Sequence, residues 1–236
     1  MLFSILSGGN LQSAITSLLL LIPVVVLALS VHETAHGYVA WKCGDPTAYN
    51  LGRLTLNPIK HLDPAGTLCM IVFGFGWAKP VPINTRYFRN PKRGMALSAI
   101  AGPLSNVILG AISAVFYGFF YALFYYALVN GTTQFVLNCI RILWTLAGLS
   151  ATVNFTFAVF NMIPVPPFDG SRIALAFLPA KTYFGIMKYE REIMFGILIV
   201  MLVLSRFGIS PFGWAADKLT DLIYYPTAEG FLNLFF

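Results

Sequence analysis

Charged residues are scarce in this sequence. Only 10% of its 236 residues are charged, whereas 58% are hydrophobic, and the mean hydropathy is +0.75. Soluble domains carry about 25% charged residues, so the chain lacks the polar surface that a water-soluble fold of this size needs. The sequence therefore predicts an integral membrane protein. It also lacks a polar linker, and we expect a single membrane-embedded domain over residues 1–236.

Three further absences exclude other classes of protein. The cysteines, Cys43, Cys69 and Cys139, are odd in number and lack CxxC spacing, so they define no disulfide framework. No Lys or Arg precedes Lys42, which argues against a cleaved signal peptide and favours a retained first helix. The net charge of +6 is spread along two loops rather than gathered in a basic patch, so nothing indicates nucleic-acid binding.

Long apolar runs predict an all-α membrane fold with about four transmembrane helices. These runs cover residues 11–42, 94–129, 133–163 and 190–207. Pro23 is expected to kink the first helix. Two further helices are predicted after the third span: a short one over 171–178 and a C-terminal interfacial one over 212–226, which carries charged residues.

The segment between the first two spans has a different character. Residues 47–56 alternate in polarity and predict a short strand that ends in a turn. The apolar run 67–75 is too short to cross a bilayer, and glycines and prolines follow it. We therefore interpret residues 67–84 as a re-entrant or interfacial β-hairpin. Irregular backbone at membrane depth must pack on protein or line a wet cavity, so this hairpin is expected near the functional site.

The first span contains the sequence His32-Glu33-Thr34-Ala35-His36. Histidines four residues apart lie on one face of a helix, so both imidazoles can reach one metal ion. Glu33 is placed to take a proton from a water that the metal activates. Residues 18–31 carry no charge, and each ionisable group in a membrane span costs about 2.5–3.5 kcal/mol on insertion scales. That cost favours a metal site over buried structural histidines.

A catalytic zinc usually takes three protein ligands, so a third one is needed. The candidates are Asp169, His61 and Asp63. Three prolines between residues 164 and 167 end the third span, and the topology brings that end to the same membrane face as the metal-binding helix. We favour Asp169, with His61 as the runner-up; the alternative for His61 and Asp63 is a turn-forming pair in a solvated loop.

Asn106 is a polar residue within the second span. It follows Ala101-Gly102-Pro103, small residues that permit close approach of a neighbouring helix. Two roles remain open for Asn106: a hydrogen bond between helices, or a position beside the metal.

The two metal-ligand motifs together resemble the site-2 protease family of intramembrane zinc metalloproteases. That family pairs an H-E-x-x-H on one membrane helix with an N-x-x-P-x-P-x-x-D-G on a later one, which here runs from Asn161 to Gly170. Further elements resemble the compact branch of the family, which has no PDZ or CBS domain: Asn57-Pro58, Asp63-Pro64-x-Gly66, Trp77-Ala78-Lys79-Pro80-Val81-Pro82 and Ala101-Gly102-Pro103-x-x-Asn106. The resemblance covers roughly residues 20–180.

The resemblance implies a zinc ion bound by His32, His36 and Asp169, with Glu33 as general base and acid. It further implies that Asn161 and Asn106 steady the scissile peptide or its oxyanion. The catalytic core would span residues of about 11–180, and the substrate would be a transmembrane protein or peptide cleaved within or near the bilayer.

The basic residues predict the orientation in the membrane. They concentrate between residues 42 and 93 and between 163 and 191, which places both loops in the cytoplasm and the N-terminus outside. We expect a multi-pass protein of the plasma membrane with its active site towards the cytoplasm. Two alternatives to a protease are a metal-binding transporter, which would need a polar path through the membrane, and a non-hydrolytic scaffold.

Overall fold

The structure is a computed structural model and describes residues 11–73, 77–175, 177–209 and 211–235. The chain is mostly helical. The helices follow one another as α1 Leu11–Lys42, α2 Thr47–Asn50, α3 Pro64–Phe73, α4 Pro91–Val129, α5 Gln134–Asn161, α6 Asp169–Leu175, α7 Ala180–Met187, α8 Glu190–Arg206 and α9 Pro211–Phe235. Short 3-10 turns lie at Pro58–Lys60 and Thr85–Tyr87.

Helix α4 is the centre of the bundle and packs against α1, α5, α6 and α9. A small or polar residue is buried at every fourth position of this helix: Gly94, Ser98, Gly102, Asn106, Gly110, Ala114, Gly118 and Ala122. A step of four residues advances about 40° around a helix, so this stripe winds around α4 and meets different partners in turn. Gly102 faces the histidines of α1, Gly110 faces Phe155 of α5, and Gly118 faces Thr227 of α9.

Large apolar side chains of α4 point outward rather than into the bundle. The exposed ones include Leu104, Ile108, Ile112, Val115 and Phe116. Small residues inside and large apolar residues outside are the arrangement that suits a helix bundle in lipid. Within the residues that the structure describes, three helices are long and apolar enough to cross a membrane: Ile15–Lys42, Pro91–Val129 and Gln134–Asn161.

The predicted fourth span is not confirmed. Its residues form α8, which has 17 residues, or about 25 Å of helix, against a hydrocarbon core of about 30 Å. The C-terminal helix α9 is longer than predicted and packs on α4 and α5. Tyr224 of α9 stacks on Tyr117 with ring centroids 4.1 Å apart, and its hydroxyl donates to the Gly148 carbonyl.

The prediction of a strand over residues 47–56 is wrong, because this stretch begins with helix α2. The buried carboxylate of Asp45 accepts a hydrogen bond from the Thr47 backbone N–H at 3.0 Å and another from the Asn84 N–H at 2.6 Å. A local side-chain bond of this kind competes with strand formation, and here it overrides the alternating pattern. Asp45 thereby ties the start of α2 to the segment that follows α3.

The β-hairpin over residues 67–84 is not confirmed either. Its first part belongs to α3, which begins beside Asp63, where the carboxylate accepts the Gly66 N–H at 2.8 Å. Residues 77–84 are largely extended, and they contribute only an isolated antiparallel bridge between Leu62 and Ala78 within the described parts of the chain. Helix α3 and an extended segment therefore replace the hairpin, and the extended segment still reaches the functional site.

Candidate metal centre

Helix α1 places His32 and His36 one turn apart on the face that packs against α4. Their Nε2 atoms are 3.0 Å apart and their ring centroids 4.5 Å apart. Both residues are buried, with 5% and 7% of their surface exposed. The spacing of four residues on a helix accounts for this convergence, as the sequence predicts.

Asp169 completes the cluster from the start of α6. Its Oδ2 atom lies 3.0 Å from Nε2 of His32 and 3.1 Å from Nε2 of His36. The chain returns sharply after α5, and Gly170 makes this possible because a Cβ there would overlap the backbone of Met162. The structure thus brings together the three residues that the sequence selects, although they are separated by up to 137 positions.

Hydrogen bonds from behind fix which nitrogen of each ring carries the proton. Nδ1 of His36 donates to the Ser98 carbonyl at 2.7 Å. Nδ1 of His32 lies 2.5 Å from Oδ1 of Asn106. The amide nitrogen of Asn106 faces the Ala28 carbonyl at 3.3 Å, and a carbonyl only accepts. The oxygen of Asn106 therefore faces His32, and His32 must donate from Nδ1.

As a consequence, three hydrogen-bond acceptors meet with no proton between them when both rings are neutral. Nε2 of each histidine presents a lone pair, and the carboxylate of Asp169 is itself an acceptor. Such a buried group is repulsive unless a cation lies among its atoms. Separations of 3.0–3.1 Å are close to the ~3.3 Å expected between ligands that are about 2.05 Å from a tetrahedral ion. The residues therefore fit a zinc ion in chemistry and in spacing.

The electrostatics of Asp169 favour its charged form. Burial raises the pKa of this carboxyl, but when the rings of His32 and His36 are protonated, their hydrogen bonds and positive charge hold the pKa well below its usual range. An ionised carboxylate is the form that can bind a metal.

Glu33 lies beside the cluster and faces a cavity. Its Oε2 atom accepts a hydrogen bond of 2.8 Å from the Val81 backbone N–H, which belongs to the extended segment 77–84. This bond fixes one oxygen of the carboxylate and directs the group towards the cavity beside His32 and His36.

The cavity has a volume of about 650 Å³ and opens between α1, α8 and the segment 77–84. Most of its wall is apolar, and its polar lining comprises Glu33, the histidine–aspartate cluster and Asn161, together with the charged residues Arg172, Lys188, Glu190 and Arg191. The lining includes Leu29, Trp77, Val81, Phe157, Phe160, Phe168, Met194 and Met201. An apolar cleft with a few converging polar groups is the usual form of a substrate site.

Comparison with known proteins identifies the family. Residues 20–205 match Peptidase family M50. The chain belongs to this family. It is 41% identical to "Putative zinc metalloprotease YwhC" of Bacillus subtilis over 167 residues, which cover 67% of this chain and 69% of the relative. It is 25% identical to "Putative zinc metalloprotease Rip2" of Mycolicibacterium smegmatis over 219 residues, 89% of this chain and 78% of the relative. No solved structure matches the chain.

Membership of Peptidase family M50 confirms the resemblance to the site-2 proteases, and the protein is a zinc metalloprotease of this family. The remaining candidate residues have different positions. Asn161 lines the cavity, and its amide nitrogen donates to the Phe157 carbonyl at 3.0 Å. Asn106 lies behind His32 with 0% exposure and its amide nitrogen is bonded to two acceptors. A direct contact between Asn106 and the oxyanion is therefore not supported by the geometry.

The other two candidates for third ligand lie elsewhere. His61 is buried, and its Nε2 donates to the Thr55 carbonyl at 2.7 Å. Asp63 accepts the Gly66 N–H at the start of α3. Among the described residues of this M50 peptidase, the cluster that could hold a metal comprises His32, His36 and Asp169.

Several residues around the site escape a search for ligand motifs. Ser98 contributes a main-chain carbonyl and Val81 a main-chain N–H, so their side chains carry no signal. Gly102 gives α4 room to approach, because a Cβ there would collide with both imidazoles. The repeat of small residues every four positions along α4 is the signal that could have indicated this close contact.

Proposed function

We propose that the protein is an intramembrane zinc endopeptidase that hydrolyses peptide bonds of transmembrane substrates. In this proposal His32, His36 and Asp169 hold the zinc, and Glu33 acts as general base and then general acid. Asn161 donates to the oxyanion. The metalloprotease domain covers residues 1–236, with its catalytic core in about 11–180.

The observation that carries the proposal is the meeting of three acceptor atoms. The Nε2 atoms of the two histidines and the carboxylate oxygen of Asp169 lie 3.0–3.1 Å apart. Each neutral ring donates its one N–H, from Nδ1, to a partner on its other side. A site that only stabilised the fold would place a donor among these atoms. A scaffold without metal or a purely structural cluster does not explain why all three lack a donor when both rings are neutral.

Zinc bound there would lower the pKa of a water to about 7 and polarise the scissile carbonyl. Glu33 then receives the proton from the attacking water and passes it to the leaving amine. The hydrogen bond from Val81 N–H holds one oxygen of Glu33, so the other oxygen is oriented to carry the proton. A positioned general base of this kind accelerates a reaction by about 10²–10⁴-fold.

Two groups along the cavity suit the substrate backbone. The amide of Asn161 has two N–H groups, of which one donates to Phe157, and we assign the other to the developing oxyanion. The extended segment 77–84 borders the cavity and offers a surface for an unwound peptide. A helical substrate must unwind before its carbonyls are accessible, so spans with Gly or Pro are expected to be cleaved more readily.

The proposed setting is the plasma membrane, with the site towards the cytoplasm. His32 and His36 lie ten and six residues before Lys42, or about 10–15 Å from that end of α1. Exposed basic residues lie at the end of α1, at the start of α4 and in the segment just before α4: Lys42, Lys92, Arg93, Arg86 and Arg89. Such residues favour the cytoplasmic side. A fourth crossing by α8 stays a prediction.

The experiment uses the purified protein in lipid vesicles with single-span peptides. One peptide carries a Gly-Pro pair in the middle of a Leu/Ala span and the other is uninterrupted. Bound zinc is measured by elemental analysis and cleavage by mass spectrometry. We expect about one zinc per chain in the wild type, preferential cleavage of the Gly-Pro peptide, and loss of cleavage on chelation.

Glu33→Gln is the matched variant, because it keeps the size and the contact with Val81 while removing the base. It is expected to keep zinc and lose cleavage. Cleavage by Glu33→Gln at the wild-type rate would refute the assigned mechanism, and a wild type that binds no zinc would refute the metal site.

A further inference from the structure

Asn154 of α5 lies behind the metal centre, where it is hydrogen-bonded to Asn106, the residue that contacts His32. It has 0% exposure and belongs to neither ligand motif. Its Oδ1 accepts from the amide nitrogen of Asn106 at 2.7 Å, and its own Nδ2 donates to the Ser150 carbonyl at 2.8 Å. A buried carboxamide in a membrane helix needs partners for its polar atoms, and Asn154 has them on both sides.

The hydrogen bonds that link Ser150, Asn154, Asn106 and His32 have their donors and acceptors in a fixed order. The Ser150 carbonyl can only accept, so the atom of Asn154 beside it is the nitrogen and the oxygen faces Asn106. That oxygen requires the nitrogen of Asn106 opposite to it, and the Ala28 carbonyl requires the same. The oxygen of Asn106 is then directed at His32, whose Nδ1 must carry the proton.

We propose that Asn154 is a positioning residue that sets the tautomer of His32 by acting through Asn106. A neutral imidazole can carry its proton on either nitrogen, and only the form protonated at Nδ1 presents a lone pair from Nε2 to a metal. The partners behind a histidine ligand commonly change metal affinity by about 10–100-fold. Asn154 extends this control across a helix interface, from α5 through α4 to α1. The inference rests on the proposed function, since it concerns the assigned zinc site.

The test compares two variants of nearly equal size. Asn154→Leu removes the nearer of the two acceptors that orient Asn106, at 2.7 Å against 3.3 Å for the Ala28 carbonyl. Asn154→Asp in its protonated form keeps an acceptor oxygen for the Asn106 nitrogen and a donor for the Ser150 carbonyl. Zinc affinity is measured by competition with a chelator for the full-length protein. Asn154→Leu is expected to bind zinc about 10-fold more weakly than the wild type, and Asn154→Asp to stay within about threefold of it.

A matched control comes from the same helix. Thr156 is also buried, and its hydroxyl has no hydrogen-bond partner among the described residues. Thr156→Val therefore removes a buried hydroxyl that is not part of the hydrogen bonds between Asn154, Asn106 and His32. The zinc affinity of this variant should equal that of the wild type. Should Asn154→Leu fail to fold, Asn154→Ala deletes the same acceptor without adding a branched side chain.

Nitrogen NMR gives a second readout that does not depend on activity. The chain has three histidines, so their ring nitrogens can be assigned with single substitutions. In zinc-free wild-type protein, at a pH where the rings are neutral, Nδ1 of His32 should show the shift of a protonated nitrogen. Asn154→Leu should show a mixture of both tautomers.

The results separate this inference from the proposed function. A wild type that fails to bind zinc contradicts the proposed metal site itself. A wild type that binds zinc, with Asn154→Leu showing the same affinity and a single His32 tautomer, overturns the positioning role alone. Equal weakening by Asn154→Leu and Asn154→Asp also overturns it, because the effect then does not follow the acceptor oxygen.

Discussion

Gly102 of α4 lies against both imidazoles of the metal centre, and adding one methyl group there should disrupt zinc binding. A Cβ at Gly102 would lie 2.5 Å from Cε1 of His36 and 2.7 Å from Cε1 of His32. Carbon atoms in favourable contact are about 3.5–4.0 Å apart. Gly102→Ala therefore requires a shift of about 1 Å in the rings or in the helix.

The rings cannot retreat from such a methyl group without losing their partners. Nδ1 of His36 is bonded to the Ser98 carbonyl and Nδ1 of His32 to Asn106. Metal–ligand distances tolerate only about 0.2 Å, so a shift of this size takes at least one nitrogen out of range. We expect zinc affinity to fall at least 100-fold, which corresponds to about 2.7 kcal/mol.

The assay measures zinc affinity by competition with a chelator, together with peptide cleavage and the thermal unfolding midpoint. Gly196→Ala is the matched control. Gly196 also lies within a helix, and a Cβ there would have no neighbour within 4 Å. Because Ala favours a helix over Gly by about 1 kcal/mol, Gly196→Ala should be as stable as the wild type or more so, with unchanged zinc affinity.

A folded Gly102→Ala protein with wild-type zinc affinity would refute the reasoning. It would mean that α4 does not approach the histidines as closely as the structure has it, or that they are not ligands.

Further predictions concern the residues of the site. Asp169→Asn removes the charged ligand, and elemental analysis should find less than half of the wild-type zinc; full occupancy would contradict its role. Glu33→Gln should keep zinc while cleavage falls by about 10²–10⁴-fold in a peptide assay; retained cleavage would exclude it as the base. Val81→Pro removes the N–H that holds Glu33, so the cleavage rate should fall while bound zinc stays constant; a parallel loss of zinc would point to misfolding instead. Chelation should abolish cleavage, and added zinc should restore it.

The sequence predicts the helices of this fold better than its other elements. Helix α1 has the predicted bounds, and α5 ends at Asn161 rather than at residue 163. Long apolar runs are strong signals because a span must satisfy its backbone by itself. The strand at 47–56 and the hairpin at 67–84 were predicted from short patterns, and side-chain bonds from Asp45 and Asp63 decide those regions instead.

The ligands could be selected from the sequence because their spacing carries the chemistry. His32 and His36 are paired by helix periodicity, and the prolines before Asp169 predict a chain that turns back. The role of Asn106 could not be decided in the same way. Whether it faces substrate or the back of a histidine depends on the rotation of α4, and a span that is apolar on both faces gives little indication of that rotation.

The rotation of α4 about its axis determines both how the helices pack and which groups of α4 face the two imidazoles. Every polar atom at this depth needs a partner from protein, and α4 provides one for each imidazole: the Ser98 carbonyl for His36 and the Asn106 oxygen for His32. One residue corresponds to about 100° around a helix, so a register shift of one position would remove both partners together. It would also bring the side chain of a neighbouring residue to the place of Gly102, against the two imidazoles. The buried stripe along α4 therefore serves packing and the metal site at once, because the residues that let the helices approach are spaced to place these two acceptors behind the two histidines.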